Sequence, residues 1–232
     1  FVGTYENGDF YWGLFAKATG IIRNLTLEGR LIATIESSGD KKFDAYVGGL
    51  CGEGYALTVE NVCNKVDMTV LDSNALLHTY MGGIVGNGDR LIVSMIGCAN
   101  YGVLNGERCG GIIGKADNLY VYKCMNFAAI KGKTNVGGIV GQGIEKTIIE
   151  SCGNIGNITI SSPAGGGICG TSTSNDVVIK NCYNRGSIFD GYGKGGILGT
   201  GENVTMMNCY SDVEIAYSNG VIDFSLLCRA EK

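Results

Sequence analysis

One motif constrains this chain more than any other: two glycines, two apolar residues and a third glycine, recurring at a near-constant interval. It stands at Gly48-Gly49-Leu50-Cys51-Gly52, Gly82-Gly83-Ile84-Val85-Gly86, Gly110-Gly111-Ile112-Ile113-Gly114 and Gly137-Gly138-Ile139-Val140-Gly141. It returns at Gly166-Gly167-Ile168-Cys169-Gly170 and Gly195-Gly196-Ile197-Leu198-Gly199. The spacings are 34, 28, 27, 29 and 29 residues. Gly13-Leu14-Phe15 is a rudimentary earlier copy. A fixed period in this range marks a stacked repeat architecture. A propeller blade needs roughly 40–45 residues, so a coil fits the shorter period better.

A second anchor alternates with the first: apolar-x-(Asn)-Cys-x-Asn-x-Gly. It places Cys98, Cys124, Cys152, Cys182 and Cys209 at one position of the repeat, and Asn64, Asn100, Asn126, Asn154 and Asn184 two residues after the cysteine position. Val62 and Leu25 hold the cysteine position in earlier copies. Stacked coils repeat at about 4.8 Å, so equivalent side chains form ladders. The cysteines read as an inward, apolar ladder. An Asn amide can donate to one neighbouring coil and accept from the other, and Asn tolerates the left-handed backbone of a sharp corner. Gly102, Gly156 and Gly186 read the same way, and the paired glycines read as a corner where a Cβ would clash.

These patterns predict an all-β right-handed parallel β-helix of about seven coils. Each coil has roughly 28 residues and three short strands: one at the glycine anchor, one before the Asn (Val177–Lys180) and one after it (Asn157–Ile160). The expected organisation is a single solenoid over 1–232, with 1–12 as a cap or first strand, 13–217 as repeats and 218–232 as a degenerate coil or boundary. Phe10-Tyr11-Trp12 is expected to cover the open first coil, because an uncovered end exposes strand edges.

The 39 glycines carry no G-X-Y period and stand beside a single proline, which excludes collagen and argues against a linker. The net charge of −4, without a basic stripe, argues against a nucleic-acid partner. No apolar run reaches the ~20 residues of a membrane span. The chain starts at Phe1, and a longer parent with flanking domains is expected.

The matching strings, above all the six glycine anchors and Asn181-Cys182-Tyr183-Asn184-Arg185-Gly186, resemble the GLUG-motif repeats of bacterial surface proteins. Those repeats also occur beside IgA-cleaving metalloproteases. Phe1-Val2-Gly3-Thr4-Tyr5 and Ile22-Arg23-Asn24-Leu25-Thr26-Leu27 look like the opening of such a domain. The resemblance covers nearly the whole chain and implies a non-catalytic module. The implied setting is extracellular or at the cell surface, with a role as an adhesion surface or a rigid spacer. An accessory domain of a secreted protease is the alternative, and a polysaccharide-active β-helix enzyme a further one. A host glycan or protein is the expected kind of ligand.

No catalytic, cofactor or metal residues are assigned from sequence. The ten cysteines contain no C-x-x-C, so zinc is disfavoured, and only Cys51, Cys63, Cys109 and Cys228 are candidates for a disulfide. His78, the one histidine, reads as a solvated residue in a loop insertion between Asp67 and Tyr80. Glu53, Asp89, Asp117, Glu145, Asp176 and Glu202 follow the glycine anchors one per turn and read as a solvated acidic edge. Gly132-Lys133-Thr134 lacks the upstream glycine of a phosphate-binding loop.

Overall fold

The computed structural model describes residues 2–6, 8–35, 43–72, 77–162, 164–173, 176–191, 193–202, 204–212 and 215–216. The ragged tail and Cys228 lie outside them.

Every regular element among the described residues is a strand. One sheet holds eight strands, of which the first, Val2–Glu6, pairs antiparallel with Asp9–Gly13. The other seven stack in parallel, one per coil, from Asp9–Gly13 through Phe43–Gly48 and Leu77–Gly82 to Lys194–Gly195. A second sheet of 22 strands wraps the remaining sides of the coils. The chain is therefore a parallel β-solenoid.

In the first two coils one long strand, Phe15–Ile35 or Cys51–Asp72, runs round most of the turn; from the third coil on the strands are shorter and more numerous than expected. The coil opening at Arg108–Gly110 continues through Ile113–Ala116, Leu119–Tyr122, Met125–Asn126 and Ile130–Gly132, making five strands instead of three. The first glycine of the pair ends a strand, the second glycine and the apolar residue after it make the bend, and Asn126 ends a two-residue strand.

Inward columns are apolar and continuous. Leu50, Ile84, Ile112, Ile139 and Ile168 are fully buried, and Ile197 ends the series at 5% exposure. Val59, Met95, Val121, Ile149 and Ile179 form a second buried column, in register. One column is interrupted: Thr147 lies between Leu119 and Val177, fully buried, with its hydroxyl unpartnered. A stranded hydroxyl costs on the order of 1 kcal/mol or more. Thr147→Val should therefore raise stability by about 1 kcal/mol, read as a higher melting temperature; an unchanged or lower value would contradict this placement.

The two sequence anchors meet inside the coil. Asn64, Asn100, Asn126, Asn154 and Asn184 are all fully buried. Each side-chain amide donates to the next: Asn64 to Asn100 Oδ1 at 2.8 Å, Asn100 to Asn126 at 2.8 Å, Asn126 to Asn154 at 2.7 Å, and Asn154 to Asn184 at 2.8 Å. The second amide hydrogen reaches a carbonyl two residues on, such as Ala128 at 2.9 Å and Gly156 at 2.9 Å. Against each Asn lies the second glycine of an anchor. A Cβ on Gly83 would stand 2.7 Å from Asn100 Cγ, and one on Gly111 would stand 2.7 Å from Asn126 Cγ. Packing at this distance leaves no room for any side chain but hydrogen.

The left-handed backbone falls elsewhere than expected. The ladder asparagines are not among the positive-φ residues. The residue before the ladder cysteine takes that conformation: Asn24 (φ 56°), Asn61 (φ 50°), Gly97 (φ 62°), Lys123 (φ 54°), Ser151 (φ 56°), Asn181 (φ 54°) and Asn208 (φ 50°). Gly156 has no positive φ; its added Cβ would overlap the Ala128 carbonyl of the preceding coil, so close approach selects glycine there.

The ladder cysteines are 0–2% exposed, and their thiols point at backbone carbonyls of the preceding coil, as Cys124 does to Met95 at 3.4 Å. Val62 shares their inward column and is 1% exposed. Cys51 and Cys169 belong to a different buried column, with Val85, Ile113, Val140 and Leu198. Burial pushes the Cys109 and Cys169 thiols up to about 12 and raises that of Cys124 well above its usual value. Cys63 faces outward and is half-buried. Alkylation of the native protein at neutral pH should label Cys63 and spare the ladder cysteines until denaturant is added, because thiolate and access are both required. Mass spectrometry finding Cys124 modified in the native state, or bridged to Cys152, would contradict the buried ladder.

Candidate functional site

The outward side chains on either side of the diglycine bend are linked by stacked rings, cations and hydrogen bonds. Two residues before each bend, Tyr11, Tyr46, Tyr80 and Arg108 stand in register on successive coils. The rings of Tyr11 and Tyr46 are 5.4 Å apart and those of Tyr46 and Tyr80 are 5.5 Å apart, each pair stacked. Beyond the bend, Lys17, Glu53, Asn87, Lys115, Gln142, Thr171 and Thr200 form a second register column, one residue per coil.

The columns are coupled by cations over the rings. Lys17 lies 4.2 Å from the Tyr11 centroid, and Arg108 lies 5.0 Å from that of Tyr80. Lys115 lies 4.9 Å from Tyr80 and 5.7 Å from Tyr46. Such contacts gain strength as the pair loses water, and these rings are only 5–6% exposed. Lys17 also pairs with Glu53 at 3.2 Å, and Asn87 Nδ2 donates to Glu53 Oε2 at 3.4 Å. Further along, Asn135 Nδ2 donates to Gln142 at 3.3 Å and Thr171 Oγ1 donates to Asn135 at 3.0 Å.

At one margin sits a titratable cluster. Tyr46 donates its hydroxyl to Asp44 Oδ2 at 3.0 Å, and Asp44 is in register with His78. Arg108 Nη1 donates to the Tyr80 hydroxyl, and its Nη2 stands 3.0 Å from His78 Nδ1. An arginine can only donate, so in this contact Nδ1 is the acceptor. Glu107 is 3.5 Å from His78 Nδ1 and 3.6 Å from Arg108 Nε, and accepts from the Thr79 backbone at 2.8 Å. Burial raises the Tyr46 and Tyr80 hydroxyls above their usual range; neighbouring Asp44 adds to both, while Arg108 opposes the rise at Tyr80. Both phenols therefore remain protonated at neutral pH, Tyr46 donating to Asp44 and Tyr80 accepting from Arg108.

His78 is thus not a loop residue. It lies on the strand Leu77–Gly82, its side chain 45% exposed, held by Arg108. The long first spacing extends paired strands: Thr34 and Ile35 pair with Leu71 and Asp72, and Phe43 pairs with Leu77. Phe10-Tyr11-Trp12 forms the first parallel rung, with Phe10 and Trp12 packed against the core and Tyr11 on the outer column. The acids do not form one edge. Glu53 belongs to the polar column, whereas Asp89, Asp117 and Glu145 gather at a different corner, where Asp117 accepts from Arg90 N at 3.1 Å and Glu145 accepts from Asn118 at 2.7 Å. Among the described residues, no three His, Cys, Asp or Glu side chains converge as metal ligands. No described helix is long and apolar enough to cross a membrane.

No family profile and no curated protein matches this chain. Among solved structures it is similar to a Bacteroides ovatus protein described as a putative immunoglobulin A1 protease, with a TM-score of 0.55 and 19% identity. The alignment covers 90% of this chain and spans 63% of the other. At that identity the likeness establishes the solenoid fold.

Proposed function

We propose that this chain is a non-catalytic β-solenoid module of a bacterial secreted or cell-surface protein, whose lateral face is a binding surface. The observation that carries the reading is the column from Lys17 to Thr200. It sets one polar side chain per coil on the outer face, in unbroken register. The buried Asn, Cys and Gly positions are accounted for by coil packing; these outer residues are not. The resemblance to GLUG-motif repeats supports the same setting.

A second reading, as an accessory domain of a secreted protease, is favoured by the solved structure just described. The two share one test. The purified chain is incubated with immunoglobulin A and with a glycan panel, and both saturable binding and turnover are measured. Binding without turnover is the expected result. Turnover that survives removal of contaminating enzymes and vanishes in Glu107→Gln or Asp44→Asn would sink the non-catalytic reading. Binding confined to immunoglobulin A would favour the accessory-domain reading.

A further inference from the structure

Within the lateral face, we infer that the segment around Asn87 and Lys115 is a subsite for an acidic saccharide, taking one carboxylate and adjoining hydroxyls. This rests on the binding reading above and names its ligand class.

Three observations converge there. Lys115 makes no ion pair among the described residues; its ammonium is held only against the faces of Tyr46 and Tyr80. Its fellow cations differ, since Lys17 is matched by Glu53 and Arg108 by Glu107. Asn87, next to Lys115 in the column, is 5% exposed, and its Oδ1 has no hydrogen-bond partner. A buried acceptor without a donor costs free energy that a ligand hydroxyl can restore. The neighbours on either side, Glu53 and Gln142, are polar, so the column offers an acceptor, an amide, an ammonium and another amide at successive rungs.

That sequence of groups suits a hydroxylated chain better than a peptide. A peptide would want a free strand edge or apolar pockets for alternate side chains. Here the strands along the face are paired with the coils on either side, among the described residues, and the column has no apolar member. The rung repeat of about 4.8 Å is also close to the length of one sugar ring. A carboxylate would draw the Lys115 ammonium off the rings into a charge-assisted hydrogen bond, the stronger class of such contacts. One rung away, the Asn87 carbonyl would take a hydroxyl of the same ligand.

The test uses the intact chain and two probes: a hexuronate tetrasaccharide, and the same tetrasaccharide with its carboxylates reduced to primary alcohols. Calorimetry should show the uronate binding and weakening as salt is added, with the reduced form at least about tenfold weaker, the effect of losing one charge-assisted contact. Lys115→Gln should cost the uronate about tenfold and leave the reduced probe unaffected. Asn87→Ala should weaken both. Lys133→Gln, at an exposed lysine outside the column, should change neither. Equal affinity for the two probes, uronate binding indifferent to Lys115→Gln, or binding of neither probe would each overturn the assignment. Saturable binding of immunoglobulin A or a neutral glycan, unaffected by Lys115→Gln, would overturn it while leaving the binding-module reading intact.

Discussion

Gly138→Ala is expected to prevent stable folding, or to lower stability by more than about 4 kcal/mol, at the extreme of single-residue effects. The added methyl would overlap the Gly167 carbonyl oxygen of the next coil and, on the other side, Cγ of Asn154. Neither neighbour can yield. The carbonyl belongs to a stacked backbone, and Asn154 is held by Asn126 at 2.7 Å and by its own bond to Asn184 at 2.8 Å. Overpacking in a well-packed site usually costs about 1–3 kcal/mol, because side chains can shift. Here the obstruction is backbone plus a bonded amide, so the larger figure is expected. Denaturant titration with circular dichroism is the readout. A variant that unfolds at the wild-type midpoint would mean that the diglycine and the Asn column do not touch.

Asn126→Ala carries the second-largest effect. It strands the amide of Asn100 and the Oδ1 of Asn154, which bond Asn126 at 2.8 and 2.7 Å, and it removes the donor to the Ala128 carbonyl. At about 1–3 kcal/mol per unsatisfied buried group, a loss of several kcal/mol follows. Asn126→Asp should also be costly at neutral pH. A buried carboxylate cannot donate to Asn154, and it lacks a cation. A surface residue would lose under about 0.5 kcal/mol on either change. An unchanged melting temperature for Asn126→Ala would remove the residue from a buried ladder.

The parts of this fold that were legible in the sequence are those where stacking demands an identical side chain in every coil. The second glycine of each pair repeats because only hydrogen fits between the ladder Asn and the next coil's carbonyl, and the first because a Cβ there would meet the carbonyl three residues on. The Asn repeats because only a carboxamide both donates and accepts along the column. Strand number was not legible: segments of two to four residues, such as Met125–Asn126, are too short to display an alternating pattern. The left-handed position carries no repeating signature, because Asn, Gly, Lys and Ser all occupy it, as Asn61, Gly97, Lys123 and Ser151 show.

The lateral face was hidden for a related reason. Its columns are defined by position while their chemistry changes from coil to coil, as from Tyr80 to Arg108 or from Asn87 to Lys115. Aligning the repeats on the diglycine would have exposed it, since Glu53, Asn87, Lys115, Gln142, Thr171 and Thr200 all fall five residues after the first glycine. Grouping residues by charge instead put Glu53 with acids it does not stack upon. The extra length of the first spacing suggests a loop insertion around His78, yet the described residues on either side, 70–72 and 77–79, prolong two neighbouring strands.

Successive coils are locked in register by a continuous buried line of asparagine amides set against the glycine pairs. Side-chain amide NMR of the native protein addresses it directly. The Nδ2 protons of Asn100, Asn126 and Asn154 should exchange slowly with solvent and show cross-relaxation to the next asparagine in the column and to the Hα protons of Gly83, Gly111 and Gly138. Amide protons that exchange as fast as those of a surface asparagine, with no contact to a glycine Hα, would contradict it.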